Sequence, residues 1–279
     1  MANRVSQQFH GFINTFPLWE NSGAFEIEQF KLPELTLILP DEEDILKEIP
    51  ALTNRFVLGK RIEGFFGYLI KRSSGYRIIA QNLQIIQDKI TVGEIDFIVE
   101  DINAGESLHI EMVYKFYLYD PAINKEIYKW IGPNRKDSLH QKIKKLKEKQ
   151  LPLLFHKETC RTLAALGINN KQLKQLVGFK ARLFVPYNML GKILPLINNS
   201  CICGYWIPSA EFNKKRYSES KYFLPQKADW PIDPSLHDEW EPFPIIYEKV
   251  SELNRKEISP LIWMKTPEGE FQRFFVVWW

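Results

Sequence analysis

Residues 93–119 read GEIDFIVEDINAGESLHIEMVYKFYLY. This stretch joins two strand-like runs, ITVGEIDFIVE and SLHIEMVYKFYLY, through the turn-rich EDINAGE. Four charged residues, Glu94, Asp96, Glu111 and Lys115, sit inside these otherwise apolar runs. A charge within a sheet is costly unless it is paired, hydrated or bound to a metal. Side chains alternate along a strand, so Glu94 and Asp96 share one face, and Glu111, Val113 and Lys115 share another. The Cα atoms of Glu111 and Lys115 lie about 13 Å apart at ~3.3 Å per residue. That is too far for a tight ion pair, but both side chains can lean toward one small ligand above Val113.

Upstream, FVLGKRIEGFFGYLIKR places Leu58, Ile62, Phe65, Phe66, Leu69 and Ile70 on one helical stripe, with Glu63 beside it. SSGY ends that helix. YRIIAQNLQII then makes a third strand, separated from ITVGEIDFIVE by the tight QDK, so the three strands form an antiparallel meander. Downstream, WIGPNRKD has turn chemistry and SLHQKIKKLKEKQLPLL is helical, with Leu139, Ile143, Leu146 and Gln150 on one face. A further helix covers TCRTLAALG or NKQLKQLVG, and KARLFVPY and CICGYWIP read as strands. The order is α-β-β-β-α-(α)-β. Before it, LPELTLILP holds a short strand and DEEDILKEI opens a helix. After it, Pro and Trp become frequent, and six of the eight tryptophans lie from Trp206 onward. Tryptophans so placed serve the core more often than base stacking.

Two acids and a lysine on adjacent strands are the minimum set for metal-assisted phosphodiester hydrolysis. Carboxylates suit Mg²⁺, and a cation offsets the charge that develops on the phosphate. Spacing alone favours ordinary cross-strand ion pairs. The order helix, strand, GEIDFIV, turn and a strand ending in VYK resembles the PD-(D/E)XK nuclease superfamily. More narrowly, LGKRIEGFFGYLI, NLQI, GEIDFIV, EMVYKFYL, WIGPNRKDSLHQKIKKL and QLPLL together resemble the bacterial family called domain of unknown function 1853.

The resemblance implies a restriction-endonuclease-like α/β fold: a mixed central sheet flanked by helices, with a Trp/Pro-rich C-terminal extension. The implied division is an N-terminal extension (1–55), a nuclease-like core (56–208) and the C-terminal extension packed on it (209–279). It implies a nuclease using Mg²⁺ or Mn²⁺, with Asp96 as metal-binding acid, Lys115 as catalytic lysine and Glu63 as the helix-borne acid. The pattern expects its second acid at Val113; the nearest acid on that face is Glu111, which takes the role, with Glu94 as an auxiliary ligand. The rival expectation is a degenerate core that binds nucleic acid or protein without cleaving. A third is a structural partner in a larger complex.

Five lysines (Lys142, Lys144, Lys145, Lys147, Lys149) with nearby Arg135 can track a phosphate backbone, or simply solvate an amphipathic helix. Arg135, Lys142, Lys145 and Lys149 are the candidate contacts, and DNA is expected ahead of RNA. Asn134 and Asp137 are candidate helix caps. The five histidines show no zinc spacing with cysteine, and no Walker loop, dinucleotide fingerprint or nucleophile elbow is present. His109 shares the face of Glu111. Three cysteines make no disulfide framework, no apolar run approaches a membrane span, and the N-terminus lacks a signal peptide pattern. The expectation is a soluble cytoplasmic protein.

Overall fold

The computed structural model describes residues 4–20, 25–31, 45, 47 and 58–279. The strand expected at LPELTLILP and most of the helix expected at DEEDILKEI fall outside them. The elements in chain order begin with α1 (Arg4–Ile13), α2 (Leu58–Arg72), β1 (Tyr76–Gln87), β2 (Ile90–Asp101) and β3 (Glu106–Tyr119). There follow β4 (Trp130–Ile131), α3 (Leu139–Lys145), α4 (Lys157–Ala165), β5 (Lys174–Pro186) and β6 (Ile202–Pro208). The chain ends with β7 (Lys221–Phe223), β8 (Glu241–Pro242), α5 (Phe243–Arg255), β9 (Leu261–Lys265) and β10 (Phe271–Val277), after a helical turn at Lys214–Tyr217. Among the described residues the strands form one mixed sheet in the order β1-β2-β3-β5-β6-β10-β9-β7-β8, with β4 on β3. The expected helix–meander–helix–strand order is present, and the C-terminal segment adds four strands to the sheet. No helix among the described residues is long and apolar enough to cross a membrane. All three cysteines are free.

Contacts divide the chain into two units, residues 19–114 with 141–180, and residues 1–18 with 115–140 and 181–279. In the first, β1 and β2 pair antiparallel from Tyr76↔Asp101 to Gln87↔Ile90. The residues between them, Asp88 and Lys89, both have positive φ (50° and 65°), the conformation of a two-residue hairpin whose twist matches its strands. The β2–β3 turn is held by Asp101, whose Oδ1 accepts from the amides of Asn103 and Ala104 at 3.0 Å each. One core of this unit packs Ile85, Ile95 and Ile98 against Leu153, Leu154 and Leu163. Gly93 permits that approach, since a Cβ there would stand 2.7 Å from the Leu153 side chain. Helix α2 lays Phe66 edge-on to Phe97 at 4.7 Å.

The single helix expected over residues 138–154 is three segments: α3, a π-helical segment at Leu146–Gln150, and a 3-10 segment at Leu151–Phe155. Leu139, Ile143 and Leu146 are buried as their spacing predicts. Pro152 lacks the amide that would continue an α-helix.

In the second unit β6 runs parallel to β5 and β10, and β9 and β7 continue antiparallel. A large aromatic core fills it, including Phe212, Tyr222, Phe243 and Phe274. Trp130 and Trp263 are buried, Trp206 donates to the Tyr119 carbonyl at 2.9 Å, and Trp279 to the Pro133 carbonyl at 2.9 Å. Arg182 of β5 is buried yet saturated: it donates to the carbonyls of Pro231 (2.6 Å) and Gly11 (3.2 Å) and to Thr15 Oγ1 (3.2 Å).

The β6–β10 pairing depends on Gly204. A Cβ there would lie 2.2 Å from the Arg273 carbonyl oxygen, a backbone atom, and 2.9 Å from the Phe184 ring. Gly204→Ala is therefore expected to destabilise the protein by about 3 kcal/mol, through overpacking that neither strand can relieve. Urea denaturation checks it, with Gly59→Ala, whose Cβ meets nothing within 4 Å, as the neutral comparison.

A candidate metal centre at the end of the β2–β3 ladder

The paired register of β2 and β3 runs from Asp101↔Glu106 to Phe97↔Ile110. The next residues on the two strands are Asp96 and Glu111. Here backbone pairing gives way to a side chain, as Asp96 Oδ2 accepts the Met112 amide at 2.9 Å. Helix α2 brings Glu63, and β2 brings Glu94, paired with Gln84 of β1. Glu63, Glu94 and Asp96 each offer an oxygen within 4.8 Å of the others. Lys60, one turn before Glu63, places its Nζ 2.6 Å from both Glu63 and Glu94.

The electrostatics follow from this crowding. Burial, then Glu111 and Glu63, push the Asp96 carboxyl up to about 8, against the Met112 amide and Lys142, which favour its charge. Burial likewise raises Glu63, with Lys60 opposing and Glu94 and Glu111 adding to the rise. For Lys60, burial works downward, but its hydrogen bonds to the two glutamates hold the ammonium up at about 12. Four carboxylates (Glu63, Glu94, Asp96, Glu111) are thus set against two ammonium groups (Lys60, Lys142). Fully ionised, these six groups sum to two negative charges, which one divalent cation would balance. Its donors are hard oxygens, the kind Mg²⁺ and Mn²⁺ prefer.

Glu111 is fully buried and held on both oxygens. Its Oε1 is 3.0 Å from His109 Nε2, and its Oε2 accepts from Gln150 Nε2 at 2.5 Å. Gln150 Oε1 in turn accepts from Lys142 Nζ at 2.7 Å. On the other side, the Gln175 amide nitrogen reaches both the Leu151 carbonyl (2.7 Å) and His109 Nδ1 (3.0 Å). That nitrogen is the donor to both, so Nδ1 is unprotonated and Nε2 carries the hydrogen given to Glu111. The π segment makes the Lys142–Gln150 contact: eight residues of α-helix would turn Gln150 about 80° away from Lys142, and the wider π turn takes up the difference.

Of the residues expected from sequence, Glu63, Glu94, Asp96 and Glu111 come together, and Lys142 acts on Asp96. Lys115 lies in the other unit, where its Nζ holds Asp137 at 2.7 Å. Arg135 is also engaged there, 3.0 Å from Asp120 and with its guanidinium 4.5 Å over Trp279. Asn134, a candidate cap, accepts the Ser259 amide at 2.8 Å instead. Lys145 and Lys149 are exposed, without an ion pair among the described residues. Lys60, Gln150 and Gln175 also belong to the site, though none is among the residues expected there from the sequence. Lys60 had a signal, standing one turn before Glu63 beside the apolar stripe, and so did Gln150, a polar residue on the face of Leu139, Ile143 and Leu146; Gln175 had none.

A family model described as "Domain of unknown function (DUF1853)" matches residues 13–277. No curated protein and no solved structure matches the chain.

Because folding raises Asp96 above the ordinary aspartate range, the metal-free protein has this contribution intact at low pH. It loses stability as pH rises from about 4 toward about 8. Asp96→Asn keeps an acceptor for Met112 and removes the ionisation. Thermal melts in chelator between about pH 5 and 8 should slope downward for the wild type and be flatter for the variant.

Proposed function

We propose that this chain, which belongs to the family of domain of unknown function 1853, is a metal-dependent nuclease that hydrolyses phosphodiester bonds of nucleic acid. The observation that carries this reading is the cluster of oxygen ligands, two negative charges in excess of its own lysines, at the point where β2 and β3 part. The resemblance to the PD-(D/E)XK superfamily supports it, since Asp96 and Glu63 match its strand and helix acids and Glu111 is the nearest acid to the position, Val113, where the pattern has its second.

Glu63, Glu94 and Asp96 would hold Mg²⁺ or Mn²⁺, with Glu111 beside Asp96. When bound, the ion supplies Lewis-acid polarisation of a phosphate and hydroxide at neutral pH. The chain's own residues do the rest. Lys60 fixes the two outer glutamates, and the Gln150 and His109 donors keep Glu111 from turning. Counted from Glu111, the lysine of the (D/E)XK pattern falls on Val113, which is buried. We assign the cation's role to Lys142, whose ammonium already acts on Asp96 from α3. Lys115 is bound to Asp137 and serves the WIGPN loop. Lys145 and Lys149 remain the candidates for backbone phosphates, with DNA expected ahead of RNA.

Val113 also favours a second reading, a nuclease-like core that binds nucleic acid or protein without cutting. One set of assays separates the two, using single- and double-stranded DNA and RNA with Mg²⁺, Mn²⁺ or chelator. Cleavage should require the metal and fall about 10²-fold or more in Asp96→Ala and Lys142→Ala, while Lys115→Ala cuts at a rate near wild type if it folds. Loss in Lys115→Ala with retention in Lys142→Ala reverses the lysine assignment. Salt-sensitive binding with no cleavage of any substrate selects the second reading. Mn²⁺ at a hundredfold over its Kd should stabilise the wild type by about 2.7 kcal/mol and Asp96→Ala hardly at all.

A further inference from the structure

A cleft of about 620 Å³ opens beside the start of β6, and it is bounded wholly by residues between Tyr187 and Arg273. Arg273, on β10, is its charged wall. That side chain is only 11% exposed; its Nη1 is shut off from water with no acceptor and so lies on the protein side, and a ligand meets only the part of the guanidinium that stays open. The carboxylate paired with it, Asp233, stands 3.8 Å from Nη2, beyond hydrogen-bonding distance. Asp233 Oδ1 is meanwhile occupied by the Ser235 amide (2.9 Å) and hydroxyl (2.8 Å). A guanidinium so nearly buried and so poorly paired is costly to the fold. Nearby Arg182, by contrast, is buried with carbonyl acceptors on hand. The sheet therefore had the means to satisfy an arginine, and at Arg273 it does not.

The rest of the cleft adds donors and flat apolar surface. Gln272 accepts from the Tyr205 hydroxyl at 3.1 Å, and its amide nitrogen has no partner among the described residues. Lys192 has no ion pair among them either. Tyr187 and Phe271 keep 44% and 38% of their surface open, as rings that line a cleft for a planar group do. Arg216 lies 4.0 Å over the Tyr187 ring. Burial pushes the Cys203 thiol up to about 11, so it stays neutral and offers neither a negative charge nor a nucleophile.

We propose that this cleft binds a small molecule carrying an oxyanion beside a flat apolar group, with Arg273 as the counter-charge and Tyr187 and Phe271 as stacking walls. An arginine fork suits phosphate and carboxylate alike. The inference stands apart from the nuclease reading, since it uses none of the same residues.

The test is calorimetry and thermal melting of the full chain with adenosine 5′-monophosphate, adenosine, benzoate and inorganic phosphate. The monophosphate or benzoate should bind at least tenfold tighter than inorganic phosphate and raise the melting temperature. Which of them does so assigns the oxyanion as phosphate or carboxylate. Arg273→Gln should lose at least tenfold in affinity while melting no lower than wild type, because it removes a largely enclosed charge whose carboxylate partner stands beyond hydrogen-bonding distance. Tyr187→Ala, at an open position, should weaken the organic anion and leave inorganic phosphate unchanged; it carries the test if Arg273→Gln does not fold. The proposal fails if neither organic anion binds, if adenosine binds as well as its monophosphate, or if both variants bind like wild type.

Discussion

One hydrogen bond sets the terms for the acidic cluster: the Met112 amide given to the Asp96 carboxylate. A buried strand must satisfy its amides, and the usual acceptor is a carbonyl of the neighbouring strand. Here β2 supplies a side chain where backbone pairing with β3 stops. That exchange brings a carboxylate to the sheet interior, one residue past the last ladder pair. The rest compensates for it. Lys60 ties the outer glutamates, Lys142 acts on Asp96, and the π segment with Gly93 seats the Gln150 turn against β2.

Much of this was legible in the sequence because it was written in local pattern. The stripe from Leu58 to Ile70, the QDK hairpin and the alternation around GEIDFIV are short-range signals, and the structure has the corresponding helix, hairpin and strands. The nearness of Glu94 and Asp96 followed from the strand period. What could not be read was set by long-range pairing. Whether Asp96 faces Glu111 depends on the β2–β3 register, and no turn signal in EDINAGE states it. The same holds for the lysines. Lys115 was placed by its distance from the acids along one strand, whereas its partner, Asp137, comes from a loop twenty-two residues on. The helix after WIGPN looked continuous because its apolar face is intact, and only Pro152 hinted at the break. The four C-terminal strands were hidden by Pro and Trp content that reads as irregular chain.

Three buried or largely enclosed charged sites among the described residues are treated differently. Arg182 is surrounded by carbonyls and acts as a structural tie between α1 and the Pro231 segment. The acidic cluster is partly neutralised by its own lysines. Arg273 has Asp233 at 3.8 Å and an Nη1 with no acceptor among the described residues. Polar groups left short of partners where neighbouring ones are satisfied lose stability, and that loss is tolerated where binding gains from it.

The hydrogen bonds around Glu111 have a direction as well as a strength. From one end Lys142 gives to Gln150 and Gln150 to Glu111; from the other Gln175 gives to His109 and His109 to Glu111. Every arrow ends on the same carboxylate, and two of the links are carboxamides, which cannot surrender a hydrogen. Such a chain is no proton wire. It works as insulation: the donors lock Glu111 in place, and no proton relayed from the far ends of these two chains reaches it.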